Sequence, residues 1–120
     1  MALVLNEEQR LLQDTAREFL VKHAPVAALR QLRDTHDPVG YAPDLWQQMA
    51  DMGWASIILP EVYGGLEFGF MGLGVVLEES GRTLTASPLF ASAVVGASAV
   101  LLGGSEALKQ SLLHDIAGGR

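Results

Sequence analysis

Two adjacent carboxylates, Glu78 and Glu79, are the residues of this sequence that most suggest acid–base chemistry. A dyad that shares a proton needs both carboxyl groups to face one point. Successive residues of an α-helix point about 100° apart, because one turn takes about 3.6 residues. The pair therefore does not predict a dyad. We interpret it as a solvated helix end in which Glu78 pairs with Arg82, four residues further on.

Three histidines and one serine are the next candidates. His23, His36 and His114 are isolated, and none has a second ligand at the three- or four-residue spacing of a helical metal site. Ser98 lies in the sequence GASAV, which lacks the second glycine of a nucleophile elbow. We predict neither a metal site nor a catalytic residue from this set.

A group of glycines between residues 64 and 74 resembles a phosphate-binding loop at first sight. The spacing of Gly69, Gly72 and Gly74 does not fit GxGxxG, however, and no strand–helix–strand unit surrounds them. The GxxxxGKS/T pattern is also absent. We predict no nucleotide-binding loop.

Composition narrows the class of protein. The formal net charge is −6, and the eight Lys and Arg residues are scattered, which argues against binding to nucleic acid. There is no cysteine, so disulfides and thiolate chemistry are excluded. The N-terminus MALVLNEEQR does not have the pattern of a signal peptide. The expectation is a soluble, cytoplasmic protein.

The elements that must position any site are organised around the stretch Pro88–Leu102, which carries no charged side chain. Pro88 fits the first turn of a helix, and the pair Gly103-Gly104 provides a stop. The stretch is shorter than the roughly twenty residues of a membrane span. A helix that is apolar all round must be buried all round. We predict that its own domain covers one side and that something else covers the other.

The rest of the chain also has helical patterns. Asn6 and Gln9 predict a capping box, Pro43 and Ser105 predict two further helix starts, and Trp54–Leu59 is expected to be extended and buried. Two apolar stripes are expected to face inward: Phe70, Leu73 and Leu77 in one helix, and Leu108, Leu112, Leu113 and Ile116 in the last. The prediction is an all-α fold, an up-and-down helical bundle of four to six helices with one long loop, in a single domain over residues 1–120.

Five motifs, in order, resemble the N-terminal helical domain of the acyl-CoA dehydrogenases. The most specific is LPEVYGGLEFG, which is close to the family's IPEEYGGLG loop. The others are LNEEQRLLQDTAREFL, DLWQQMADMG, VVLEESGR and GGSEALKQSLLHDIAGGR. Together they extend from about Leu5 to Gly119.

The resemblance implies a reaction. Family members oxidise an acyl-CoA thioester between its α and β carbons, with a carboxylate base, FAD as hydride acceptor and an electron-transfer flavoprotein as the next acceptor. A middle β-domain and a C-terminal helical domain, both absent here, hold most of the flavin and the usual base. The resemblance therefore implies the first third of a flavoprotein oxidoreductase of fatty acid β-oxidation. It provides no catalytic residue, and we expect this chain alone to be inactive and without FAD.

The resemblance also implies one wall of the acyl pocket. By position, Ser87, Phe90 and Val94 would face the acyl chain, and ordinary core packing is the alternative for each. A bulky Phe90 would shorten the pocket or shape it for a ring system. The segment somewhat resembles the subfamily that acts on branched or steroid-type thioesters, often as heteromers. A second hypothesis is a free-standing helical interaction domain without catalytic activity.

Overall fold

Helices form the fold of residues 4–120, which are the residues that the computed structural model describes. Six α-helices follow one another: α1 (Glu7–His23), α2 (Val26–Asp34), α3 (Pro43–Asp51), α4 (Gly69–Arg82), α5 (Ala97–Gly103) and α6 (Glu106–Ala117). No strand occurs among the described residues. The prediction of an all-α bundle is confirmed, and the long loop joins α3 to α4.

Local capping signals set several helix ends as expected. The Asn6 side chain accepts a hydrogen bond from the Gln9 backbone N–H (2.8 Å), and the Gln9 side chain accepts one from the Asn6 N–H (3.0 Å). This is the predicted capping box. Ser105 caps α6 by accepting from the Leu108 N–H, and Pro43 occupies the first turn of α3. These ends depend on residues close in sequence, which is why the pattern predicts them.

The segment that follows α3 corrects one expectation. Residues 54–59 are buried or half-buried as predicted, but they are not extended, because Trp54–Ser56 forms a 3₁₀-helix. Gly53 reverses the chain with φ 85°, and the next turns close through hydrogen bonds between residues three apart, from Ser56 N–H to Gly53 O and from Leu59 N–H to Ser56 O. A second 3₁₀-helix, Glu61–Tyr63, follows. Within the described residues the segment has no neighbouring strand, and the returning chain completes its hydrogen bonds: Leu66 N–H donates to Ser56 O and Phe68 N–H donates to Ile57 O.

The inward face of α4 differs from the predicted stripe. Leu73 is buried, but Phe70 is 64% exposed. A Cβ on Gly72 would lie 2.3 Å from Cδ1 of Phe68, so the missing side chain allows the Phe68 ring to lie against this end of the helix. Phe68 therefore covers the place that was expected for Phe70.

The inward stripe of α6 is narrower than predicted. Leu113 is fully buried and Ile116 packs against the same cluster. Leu108 and Leu112 are 50% and 40% exposed. The neighbours of α6 are α5, the π-helical segment Phe90–Gly96 that precedes α5, and the two 3₁₀-helices. This helix is therefore covered on one side only.

The carboxylate pair also corrects an expectation. Glu79 is buried, whereas Glu78 is exposed. Arg17 of α1 donates two hydrogen bonds to Glu79, at 3.1 and 2.9 Å, and Arg82 approaches its Oε2 to 3.3 Å. Arg82 therefore pairs with Glu79 and not with Glu78. The helix α4 turns Glu79 toward α1, the helix with which it makes its most extensive contact.

Two apolar clusters make up the core. The larger cluster lies between α1, α3, α4 and the helical segment that precedes α5. The smaller one lies beside α6 around Leu59, Tyr63, Ala97 and Leu113. The molecule is a flat plate of 43 × 36 × 21 Å, about two helix diameters thick. Among residues 4–120, no helix is both long and apolar enough to cross a bilayer.

Candidate functional site

The predicted apolar helix is present between α4 and α6. It is helical from Leu89 to Gly103, and we call this range the central helix. Pro88 lies just before it and accepts a hydrogen bond from the Ser92 N–H at 2.8 Å. Gly104 ends it in an extended conformation. The first part, Phe90–Gly96, is π-helical and continues directly into α5.

The inner face of the central helix joins the two core clusters. Leu89, Ala93 and Ala97 are at most 1% exposed. Leu89 and Ala93 belong to the larger cluster, and Ala97 belongs to the smaller one. Burial on this side confirms that the chain's own domain covers one face of the helix.

The opposite face is apolar and open. We call it the outer face, and it consists of five exposed residues: Phe90, Ala91, Val95, Ala99 and Leu102. Phe90 is 60%, Val95 54% and Leu102 89% exposed. None of these side chains can form a hydrogen bond with water, so the face gains free energy from any cover that removes water from it.

The structure does not bring the three predicted site residues onto one face. Phe90 lies on the outer face, whereas Val94 is half-buried and packs against the larger core cluster. Ser87 is half-buried and precedes the helix, where its hydroxyl accepts a hydrogen bond from the Leu89 N–H at 3.3 Å. Phe90 and Val94 both lie within the π-helical segment Phe90–Gly96.

The loop that leads into the central helix carries a feature that sequence reasoning missed. Leu84 has φ 52° and is 56% exposed, which is a rare backbone conformation for a bulky residue. Hydrogen bonds hold it from both sides, because the Thr85 N–H donates to Ser80 O and the hydroxyl groups of Thr83 and Thr85 lie 2.7 Å apart. Nothing in the residue types around Leu84 signals this conformation.

The apolar groove beside α1 contains no group that would hold the pyrophosphate of a flavin nucleotide. This groove of about 370 Å³ between α1 and the loop after α3 is lined by Glu8, Leu11, Leu12, Thr15, Met52, Trp54 and Phe68. A pyrophosphate needs cationic groups or several N–H donors, and the charged member of this lining is the carboxylate of Glu8. Residues 4–120 also contain no group of three or more His, Asp or Glu residues that could hold a metal ion.

Comparison with known proteins identifies the fold. Residues 6–120 match the family model for the N-terminal domain of acyl-CoA dehydrogenases. The chain belongs to the acyl-CoA dehydrogenase family. The resemblance predicted from the five motifs is thereby confirmed.

Two relatives of this acyl-CoA dehydrogenase domain show its place in the family. It is 31% identical to the acyl-CoA dehydrogenase IpdE2 of Mycolicibacterium smegmatis over 107 aligned residues. The alignment covers 88% of this chain and 34% of the relative. It is 35% identical to the cyclohex-1-ene-1-carbonyl-CoA dehydrogenase of Geobacter metallireducens over 115 aligned residues. This alignment covers 95% of this chain and 29% of the relative. The chain thus spans about a third of the length of the curated relatives it matches.

Solved structures contain the same helical arrangement over about a third of their length. A steroid ACAD variant superposes with a TM-score of 0.82 at 32% identity, covering 94% of this chain and 30% of that one. The ChsE4-ChsE5 complex from Mycobacterium tuberculosis superposes with a TM-score of 0.85 at 26% identity, covering 99% of this chain and 32% of that one.

Proposed function

We propose that this chain acts as the N-terminal domain of an FAD-dependent acyl-CoA dehydrogenase. In that enzyme it forms one wall of the acyl pocket and packs against a middle and a C-terminal domain. The proposed reaction is the α,β-dehydrogenation of an acyl-CoA thioester in the cytoplasm, as a step of fatty acid β-oxidation. The proposed electron acceptor is an electron-transfer flavoprotein. The proposal puts the FAD site and the catalytic base outside this chain, because Glu79 is held in an ion pair with Arg17 and the lining of the apolar groove beside α1 contains no cationic group.

The observation that carries this proposal is the outer face of the central helix. Phe90, Val95 and Leu102 each expose more than half of their surface. Covering a large apolar side chain completely contributes about 1.5–3 kcal/mol. A face of this kind on a domain of this family supports an arrangement in which a substrate and a neighbouring domain share the cover.

Within that wall, Ser87, Phe90 and Val94 have different proposed parts. Phe90 offers an exposed aromatic ring on the outer face. Val94 contributes from the edge, because most of its contact is with the core. Ser87 shapes the start of the wall, since its hydroxyl is engaged by the Leu89 N–H.

We also propose that the acyl group of the substrate carries a branch or a ring, and that the enzyme is a homo- or hetero-oligomer. The names of two similar proteins support a ring in the acyl group of the substrate. One is named for cyclohex-1-ene-1-carbonyl-CoA, and the other is a solved structure of a steroid acyl-CoA dehydrogenase (ACAD). The ChsE4-ChsE5 complex supports association between unlike subunits. The outer face, with the Phe90 ring beside the small Ala91, offers a flat apolar surface to such a group.

A flavin measurement tests the proposal. The 120-residue chain is expected to purify colourless, whereas the same chain co-expressed with the downstream coding segment is expected to bind FAD and oxidise an acyl-CoA. The most direct comparison is the absorbance of the two preparations in the flavin band, at about 450 nm. Turnover is then measured with heptanoyl-CoA, isovaleryl-CoA, cyclohexanecarbonyl-CoA and cholanoyl-CoA.

Two outcomes would contradict the proposed function. Stoichiometric FAD on the short chain would show that the flavin site lies within these residues. A stop codon directly after Arg120 would favour the alternative, a free-standing helical interaction domain without catalytic activity. In that case the outer face would bind another protein.

A further inference from the structure

The turn that ends α6 is fastened to α3 by a tryptophan. The Trp46 indole N–H donates a hydrogen bond to the carbonyl oxygen of Gly119 at 2.9 Å, although the two residues are 73 positions apart. Trp46 is 6% exposed and belongs to the larger core cluster. The main contacts of α6 are with other elements and not with α3. The hydrogen bond therefore joins two helices that otherwise pack against different neighbours.

Backbone hydrogen bonds also fix the turn itself. The Arg120 N–H donates to Asp115 O at 2.8 Å, and the Gly119 N–H donates to Ile116 O at 3.0 Å. This is the Schellman arrangement of a helix C-terminus. The Arg120 guanidinium also lies 3.3 Å from the Asp115 carboxylate. Two consecutive glycines at the end of a helix suit a hinge, because glycine has the greatest backbone freedom. Here these bonds hold Gly118 and Gly119 in one conformation.

The close approach to α3 requires a glycine at position 119 and not at position 118. Gly119 has φ 76°, a conformation that residues with a side chain rarely adopt. A Cβ on Gly119 would lie 2.7 Å from the Cβ of Ala50 and 3.3 Å from Nε1 of Trp46. Gly118 has φ −85°, and a Cβ there would meet its nearest neighbours at 3.6 Å, an ordinary contact. The two adjacent glycines therefore provide a matched pair of test positions.

We infer that Trp46 is a positioning residue, and that it fixes the path by which the chain passes from α6 to the middle domain. The inference rests on the proposed function. Domains joined by a modest interface move relative to one another unless a contact holds them. In the proposed enzyme the flavin lies outside this domain, so a fixed path keeps the substrate bound here in register with it. A displacement of about 1 Å between reacting groups can cost roughly a hundredfold in rate.

The test uses the full-length enzyme that contains this chain and the best substrate of the acyl-CoA panel above. Trp46→Phe keeps an aromatic ring and removes the N–H donor. Tyr63→Phe is the matched control, because it also removes one side-chain hydrogen bond to α6, at the opposite end of that helix. Trp46→Phe is expected to lower kcat per bound flavin by about tenfold or more. Tyr63→Phe is expected to leave kcat per bound flavin as in the wild type. A purely structural defect would lower the flavin content and not the turnover of each flavin.

The glycine pair protects the test against a folding defect in Trp46→Phe. Gly119→Ala is expected to lower kcat per bound flavin as well, because the added methyl group forces the turn away from α3. Gly118→Ala is expected to behave as the wild type. The double variant of Trp46→Phe and Gly119→Ala is expected to lose no more than the worse single variant, because both changes break the same contact.

Three results would overturn the role of Trp46 and leave the proposed function standing. They are wild-type turnover per flavin in Trp46→Phe or Gly119→Ala, an equal loss in Tyr63→Phe or Gly118→Ala, and additive losses in the double variant. A full-length protein that oxidises no acyl-CoA would overturn both the role of Trp46 and the proposed function.

Discussion

Arg17 and Glu79 join α1 to α4 through a bidentate pair, with Nε–Oε2 at 3.1 Å and Nη2–Oε1 at 2.9 Å. The carboxylate side chain is fully buried, whereas Arg17 keeps 46% of its side chain exposed. Arg82 supplies a second cation to the same carboxylate. A buried charge is tolerated when it is paired and hydrogen-bonded, and Glu79 meets both conditions. This contact crosses the most extensive helix–helix interface of the domain.

Arg17→Ala should destabilise the domain. The substitution leaves Glu79 with Arg82 as its one remaining ion-pair partner among the described residues. Breaking a buried pair typically costs about 3–5 kcal/mol, and we expect about 2 kcal/mol here because Arg82 remains and Arg17 is partly exposed. Urea unfolding of the wild type and the variant measures the difference. Arg10→Ala, at an exposed position of the same helix, is the control, and equal losses in both variants would contradict the role of the pair.

Stability should also depend on pH through Glu79. The hydrogen bonds from Arg17, together with the positive charges of Arg17 and Arg82, lower the pKa of Glu79 below its ordinary value of 4.5, against the effect of burial. A carboxyl with a lowered pKa in the folded state contributes stability that is complete above the unfolded pKa and is lost as the pH falls through the folded one. The free energy of unfolding of the wild type should therefore fall more steeply below about pH 4.5 than that of Glu79→Gln. Parallel curves between pH 7 and pH 3 (roughly the range of carboxyl titration) would rule this out.

Two glycines should respond to alanine in opposite directions. A Cβ on Gly65 would lie 1.9 Å from the carbonyl oxygen of Leu59, so Gly65→Ala must displace backbone and should destabilise the loop strongly. Gly74 is an exposed interior residue of α4, and its Cβ would meet nothing within 4 Å. Gly74→Ala should stabilise by about 0.5–1 kcal/mol, since alanine loses less backbone entropy than glycine in a helix. Thermal unfolding by circular dichroism compares the two, and a stabilised Gly65→Ala protein would show the close approach to be wrong.

Tyr63 should act as a connection between its loop and α6. Its hydroxyl lies 2.9 and 3.0 Å from the two carboxylate oxygens of Glu106, and this hydrogen bond raises the pKa of Tyr63. Tyr63→Phe should lower the free energy of unfolding by about 1 kcal/mol. In an alkaline absorbance titration, Glu106→Gln should bring the ionisation of Tyr63 to lower pH. Tyr41→Phe is the control for stability, because Tyr41 packs against the other cluster; a loss of the same size there would count against the connection.

The parts of the fold that the sequence predicts correctly depend on neighbours along the chain. The capping box of Asn6 and Gln9 and the cap at Ser105 need only residues three positions apart. The apolar helix after Pro88 is likewise visible as an uncharged run between proline and glycine. Such features are properties of a short window, so local patterns are enough to find them.

The parts that were missed depend on residues distant in sequence or on a change of helical register. Arg17 and Glu79 are 62 positions apart, so no short stretch of the sequence shows that Arg17 is the partner of Glu79. The aromatic and β-branched residues after Gly53 indicate burial correctly, but they do not distinguish a 3₁₀ turn from a strand. The π-helical turn over Phe90–Gly96 leaves no mark in composition, and the place of Val94 in the acyl wall stays a prediction.

The 21 Å thickness of the plate leaves its helices close to one of two broad surfaces. A slab only two helices deep has no middle layer remote from water, so every helix borders the solvent on at least one side. Any molecule that adheres to the native slab but not to the unfolded chain raises its melting point in step with the logarithm of its concentration. A thermal-shift screen therefore detects occupants of either surface before their chemistry is known.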